Sequence, residues 1–256
     1  MRRGSFWAWF WVTLAALYFI LPLVGTFIFS LRAKKDTLSF AAYDNVFNDS
    51  QFWQTFGFST MMALLTIISS LLLVVPTVYW VHLRLPRLRP WVELMTLLPF
   101  VIPAVVLVFG LIRIYSRPPF SLTNSVFTTN ILLIAGYMVL SLPYMYRAVD
   151  TGLRSIDART LTEAAQSLGA GWPTVLFRVI FPNIRGALLS GAFLTFAIVI
   201  GEFVLAAFLA RPAFGPYMVL LGQNKAYEPA ALAIISFALT WAAITLMYWL
   251  NRPLLR

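Results

Sequence analysis

Long apolar runs separated by short polar segments dominate the chain, and six of them approach or exceed the length of a membrane-crossing helix. They fall near residues 6–30, 57–80, 94–112, 130–146, 187–210 and 230–250. At about 1.5 Å of rise per helical residue these runs suit a hydrocarbon core of about 30 Å. The fourth is short and contains Pro143. The first follows Met1-Arg2-Arg3, is longer than a signal-peptide apolar region and continues through "LYFILPLVGTFIFS" without a clear cleavage site, so it predicts a retained anchor. The expectation is an all-α integral membrane protein, one transmembrane domain over 1–256 with six transmembrane helices.

The pattern changes between residues 147 and 186, the longest polar connection on one side of the membrane. In "SIDARTLTEAAQSLGAG", Leu161, Ala164, Ala165 and Leu168 fall at helical spacing on one side, with Arg159, Thr162, Glu163 and Gln166 away from it. Gly169 and Gly171 are stop residues, and Pro173 suits the first turn of a second helix. The segment therefore predicts helix, glycine turn, helix. Such a short helix is marginal alone in water, so its small-residue edge implies a groove to dock in. A plain surface helix is the alternative, since Thr160 and Glu163 also fit a capping-box spacing.

Composition agrees with the apolar pattern: 61% of residues are hydrophobic and 11% charged, too few to clothe a soluble globule. The net charge of +10 sits in short basic clusters between apolar blocks, as topology signals do, so no nucleic-acid partner is expected. With the N-terminus inside, one side collects Arg2, Arg3, Arg84, Arg87, Arg89, Arg147, Arg154, Arg159, Arg178, Arg185, Arg252 and Arg256, twelve of the nineteen basic residues. That excess places both termini in the cytoplasm, although Arg32, Lys34 and Lys35 pull the other way. The chain has no cysteine and one histidine, His82, which leaves no thiolate chemistry and no multi-histidine metal site. Trp7, Trp9, Trp11, Trp53, Trp80 and Trp91 cluster toward span ends, as interfacial anchors do.

The loop also carries a resemblance. "EAA" at Glu163, Ala164 and Ala165, three further residues, Gly169, nine residues and "VIFP" ending at Pro182 resemble the EAA loop of the membrane-spanning permease subunits of bacterial binding-protein-dependent ABC importers. Val179 and Phe181 stand where that family usually has Ile and Leu, which keeps the apolar character. The resemblance implies a type I permease of the cell inner membrane, with a coupling helix built on Leu161, Glu163, Ala164, Ala165, Leu168 and Gly169 and closed by Pro182. It implies that the chain is no enzyme and holds no cofactor. ATP and Mg would be bound by a cytoplasmic ABC ATPase dimer, in keeping with the lack of a G-x-x-x-x-G-K-[ST] sequence here. The other implied partners are a second permease, with a heterodimer favoured, and an extracytoplasmic solute-binding protein docking on outer loops near 31–56, 113–129 and 211–229. Asp150 and Asp157 flank the loop as helix caps or as salt-bridge partners of the ATPase.

For the solute, the informative residue is Glu202, an ionisable group inside the fifth apolar run. An acid in lipid should face a cavity, a partner or a pathway. It lines the translocation path for a cationic or amine-bearing solute, or it bonds a neighbouring helix. The pair Glu202 and Phe203 is similar to the fifth span of polyamine-type permeases, which points to polyamine transport; permeases for ferric iron, thiamine, sulfate or aminophosphonate remain alternatives. Pro99 and Pro103 in the third run are candidates for the same path or for a packing kink. The rival classes are a single-component secondary carrier and a membrane enzyme. No convincing repeat supports the first and no nucleophile with a base supports the second.

Overall fold

The computed structural model describes residues 3–34, 37–119 and 121–251; Arg2, Lys35, Arg252 and Arg256 of the charge pattern lie outside the described residues. The elements are α1 (Arg3–Ser30), α2 (Ala41–Phe47), α3 (Ser50–Leu83), α4 (Arg89–Val101), α5 (Ala104–Tyr115), α6 (Val126–Arg154), α7 (Ala158–Ser167), α8 (Trp172–Asn183), α9 (Arg185–Gly201), α10 (Val204–Phe208), α11 (Phe214–Asn224) and α12 (Glu228–Asn251). No β-strand occurs among the described residues. This is an all-helical protein rich in apolar helices, as the hydropathy pattern requires.

Three single helices have the length and apolarity to cross a membrane, and two bent pairs, α4 with α5 and α8 with α9, pass the same test as pairs. The expected sixth run lies in α12, an apolar helix of 24 residues. The second run begins earlier than expected, at Ser50, and three further boundaries differ. The third run is not one helix: α4 and α5 meet at 102°. Ile102, at ψ 116°, is extended because Pro103 disfavours helical geometry in the residue before it. The break is thus at Pro103, the N-cap of α5, whereas Pro99 stays inside α4. The fifth run stops at Gly201 instead of 210, since Glu202 is extended with ψ 129°. The fourth helix continues past 146 to Arg154, because Val149, Asp150, Gly152 and Leu153 keep burying one face of it; the loop begins only at Ser155.

The chain divides into two compact units. In the first, Met1–Trp53 with Tyr217–Ala242, α1 is apolar on every side and almost wholly exposed, with Trp9 at 69% and Tyr18 at 74%. A helix of that kind is built for lipid or for another helix. Polar contacts gather elsewhere in this unit: Tyr217 Oη donates to Asp49 Oδ2 at 2.8 Å, and Asn45 Nδ2 donates to Glu228 Oε1 at 3.0 Å.

The second unit, Gln54–Pro216 with Ala243–Arg256, holds two apolar cores. One joins Val75, Val78 and Tyr79 of α3 to Met145, Val149 and Leu153 of α6 and to Val175 and Ile180 of α8. The other joins Met62 and Ala63 of α3 to Val108, Leu132, Tyr137, Val199 and Leu205. Glycines let α6 and α9 approach closely. A Cβ on Gly152 would lie 2.6 Å from the Ala187 Cβ, and one on Gly191 would lie 2.8 Å from the Met145 sulfur.

Candidate functional site

The loop after α6 is built by local chemistry at both ends of α7. Asp157 is the N-cap: its carboxylate accepts the Thr160 amide at 3.1 Å and the Thr160 hydroxyl at 2.7 Å. Those bonds hold the Asp157 carboxyl below its usual pKa range. Asp157 therefore caps, as one of its two expected roles had it, and the Thr160 with Glu163 capping box does not form. Glu163 instead pairs with Arg159, Nε to Oε1 at 2.9 Å.

At the other end, Gly169 has φ +80°. Its amide bonds the Gln166 carbonyl and the Ala170 amide bonds the Ala165 carbonyl, which is the paired C-terminal closure that favours glycine. Pro173 then opens α8, and the helix, glycine turn, helix order stands as expected.

The faces of α7 differ from the expected ones. Ala158 and Thr162 are buried, and Ala165 packs against the core beneath them. Thr162, placed on the polar side from sequence, points inward because its hydroxyl meets the Tyr79 hydroxyl at 2.6 Å and bonds the Ala158 carbonyl. Ala164 and Leu168, on the small-residue edge expected to dock in a groove, are exposed, Leu168 at 88%. Leu161 is half-buried and Glu163 exposed. The side facing away from the fold is therefore mixed: Ala164 and Leu168 lie among Arg159, Thr160, Glu163, Gln166 and Ser167. Trp172 completes the seat, its ring 4.8 Å from that of Tyr79 and 5.2 Å from that of Trp80.

The second half of the loop is less uniform than a rigid helix. Val175–Ile180 is wound as a π turn, and Pro182 follows two residues later. Proline has no amide to offer and crowds the carbonyl four residues back, so the preceding turn widens. The chain then bends by 81° between α8 and α9 at Ile184.

Glu202 is buried, 8% exposed, in the break between α9 and α10. Its two carboxylate oxygens each accept the Leu205 amide at 3.0 Å, and Oε2 also lies 3.4 Å from the Ala206 amide. This is the bonding to a neighbouring helix that was one of its two expected roles: the acid caps the short helix that follows it in sequence. Phe203 is 38% exposed beside it. α10 packs against α5 and α6, with the Phe208 and Phe109 rings 4.9 Å apart, so the helix break after Gly201 and the α4–α5 pair belong to one packed region. Pro99 is half-buried and Pro103 exposed.

Sequence reasoning missed a charged cluster. Asp150, expected to cap or to meet a partner, binds Arg89 and Arg154 of this same chain, and Glu93 shares both arginines. The only sequence signal is the i,i+4 spacing of opposite charges on each helix. Among the described residues no group of three His, Asp or Glu side chains is placed to hold a metal.

A family model described as "Binding-protein-dependent transport system inner membrane component" matches residues 82–256. The chain is 30% identical over 171 residues to a probable ABC transporter permease protein, y4fN, of Sinorhizobium fredii, covering 63% of this chain but only 28% of that protein. It is 26% identical over 267 residues to a probable sulfate transport system permease protein, cysT, of Chlorokybus atmophyticus, covering 95% and 88%. It is 30% identical over 124 residues to the spermidine/putrescine transport system permease protein PotC of Haemophilus influenzae, covering 47% and 48%. Among solved structures, a bacterial ABC transporter involved in import of the acidic polysaccharide alginate has a chain that superposes with a TM-score of 0.74 at 15% identity, covering 100% of this chain and 97% of that one. At that identity the likeness concerns the fold.

Proposed function

Because the chain belongs to the family of binding-protein-dependent transport system inner membrane components, we propose that it is the permease subunit of an ATP-driven solute importer, and that α7 is its coupling helix. The observation that carries the coupling role is the two-sidedness of α7. Its inner side is fixed by Thr162 on Tyr79, while Glu163, Ala164 and an 88% exposed Leu168 face outward. A cytoplasmic ABC ATPase dimer that grips this face moves α7, and the contact with α3 together with α8 transmits the motion to the membrane helices. Gly169 fixes the turn between the two arms. A second permease, in a heterodimer, completes the path, and an extracytoplasmic binding protein delivers solute. Both termini and the loop after α6 lie in the cytoplasm of a bacterial cell, and ATP with Mg stays on the partner chain.

The proposed solute is a polyamine or another small amine-bearing molecule. The PotC relative and the acid at Glu202 support it. A second reading, an oxyanion of the kind named for the Chlorokybus relative, is favoured by the capping of Glu202, whose oxygens are already engaged by backbone amides. Uptake into vesicles holding the purified complex separates them. Labelled spermidine or putrescine should enter only with ATP and the binding protein. Entry of sulfate instead would overturn the amine assignment, and transport by this chain alone on an ion gradient would overturn the importer.

A further inference from the structure

Four charged side chains close a ring between α4 and the end of α6. Arg89 Nε donates to Glu93 Oε1 at 3.0 Å, and its Nη2 donates to both oxygens of Asp150 at 3.2 Å. Arg154 Nε donates to Asp150 Oδ2 at 2.8 Å, and its Nη2 reaches Glu93 Oε1 at 3.4 Å. Each carboxylate thus serves both guanidiniums. The pairs within one helix are i,i+4 contacts that stiffen that helix alone. The contacts from Arg89 to Asp150 and from Arg154 to Glu93 each span 61 positions and tie two helices together.

An isolated exposed ion pair holds little, but this ring is anchored by a buried member. The Asp150 side chain is only 12% exposed, against 28% for Arg89, 42% for Glu93 and 52% for Arg154. Removing the partners of a buried carboxylate leaves an uncompensated charge, so the ring resists being opened. Its position gives that resistance a use. Only Ser155, Ile156 and Asp157 separate Arg154 from α7. On the other side α4 leads to the break at Pro103, and α5 beyond it packs on α10.

We propose that Arg89, Glu93, Asp150 and Arg154 are positioning residues that hold α4 to the stem of the coupling loop, so that a displacement of α7 moves the α4–α5 pair together with α6. This rests on the coupling role given to α7 above. Without the ring, the loop still has its route through α8 and α9, but the α4–α5 arm is left behind.

The chain has no cysteine, so with a cysteine-free ATPase the labels report on this chain alone. The complex with its ATPase, carrying Arg87→Cys and Ser155→Cys, both at exposed positions, is spin-labelled and its inter-label distance measured with and without trapped ATP. The ring predicts one distance that ATP leaves unchanged, and in Asp150→Asn a distance that shifts or broadens on ATP binding. Solute moved per ATP in Asp150→Asn should fall roughly fivefold or more, the lower end of typical coupling between sites. Glu93→Gln, at a more exposed position, gives a milder form should Asp150→Asn fail to accumulate. An ATP-dependent distance change in the parent, or normal solute per ATP in Asp150→Asn and Glu93→Gln, would overturn the clamp and leave the importer standing. A parent complex that neither binds an ATPase nor couples hydrolysis to uptake would remove the importer reading and the clamp with it.

Discussion

The hydroxyls of Tyr79 and Thr162 lie 2.6 Å apart, both side chains buried, and they fasten α7 to the C-terminal end of α3 across 83 positions of sequence. The two partners are not equivalent. Thr162 also bonds the Ala158 carbonyl at 2.6 Å, so Tyr79→Phe leaves it satisfied and should cost about 0.5–1.5 kcal/mol. Thr162→Val strands a buried phenol and should cost about 1–3 kcal/mol. Thermal unfolding of the purified complex checks the order; a larger loss in Tyr79→Phe would contradict it.

At Gly169 the constraint is backbone conformation alone, since nothing lies within 4 Å of where a Cβ would be. With φ at +80°, an L-residue pays about 1–2 kcal/mol, and asparagine tolerates the region best. Gly169→Asn should therefore transport nearly as the parent does, whereas Gly169→Val should hydrolyse ATP with little uptake. Equal uptake in the two variants would remove the turn from the coupling route.

Gly152 poses the opposite case. A Cβ there meets the Ala187 Cβ at 2.6 Å and the Ile184 Cβ at 3.2 Å, beside the bend between α8 and α9. Gly152→Val should force α6 and α9 apart at a cost of about 1–3 kcal/mol and lower the amount of assembled protein in the membrane. Unchanged accumulation and unfolding temperature would show that the crossing has slack.

Glu202 as a cap predicts a graded series. Gln keeps an oxygen for the Leu205 amide, while Ala leaves buried donors bare at about 1–3 kcal/mol. Glu202→Ala should be markedly less stable than Glu202→Gln, and Glu202→Gln should retain uptake. A stable Glu202→Gln protein that has lost uptake would instead place the carboxylate in the solute path.

The Asp157 cap has a defined pH dependence. Its carboxyl is held below the usual range by the Thr160 hydroxyl and amide. A depressed value means the stabilisation is complete above the ordinary carboxyl pKa of about 3.9 and is lost only as pH falls through the lower folded value. Protection of the α7 amides, corrected for intrinsic exchange, should be flat from neutral pH down to about 4 and fall below it. In Asp157→Ala it should be lower throughout and should not show that acid step.

What could be read from sequence was what neighbouring residues decide. Gly169, Pro173 and the Asp157 cap act within a few positions, so the helix, turn, helix order was legible before any coordinates. Thr162 was misassigned because its partner, Tyr79, is distant in sequence, and hydropathy scores a threonine as polar whatever it meets. The ring of Arg89, Glu93, Asp150 and Arg154 was hidden for the same reason. Glu202 stood out as a charge in an apolar run, but the run itself did not announce that the helix stops at Gly201 and needs an acceptor for the next one. The bend at Pro103 was half legible: two prolines signalled a break, but the sequence did not say which of them carries it.

The coupling role of α7 is tested most directly at Leu168, the C-cap of α7 and the most exposed large apolar residue among those described. A photo-crosslinking amino acid placed there in the tagged chain, activated in native membranes, should join it in high yield to an ATPase subunit bearing a phosphate-binding G-x-x-x-x-G-K-[ST] sequence. The same probe at Val106, on the exposed side of α5, should not. Leu168 adducts with lipid or solvent only, in membranes where the chain still transports, would contradict the coupling of α7 to an ATPase.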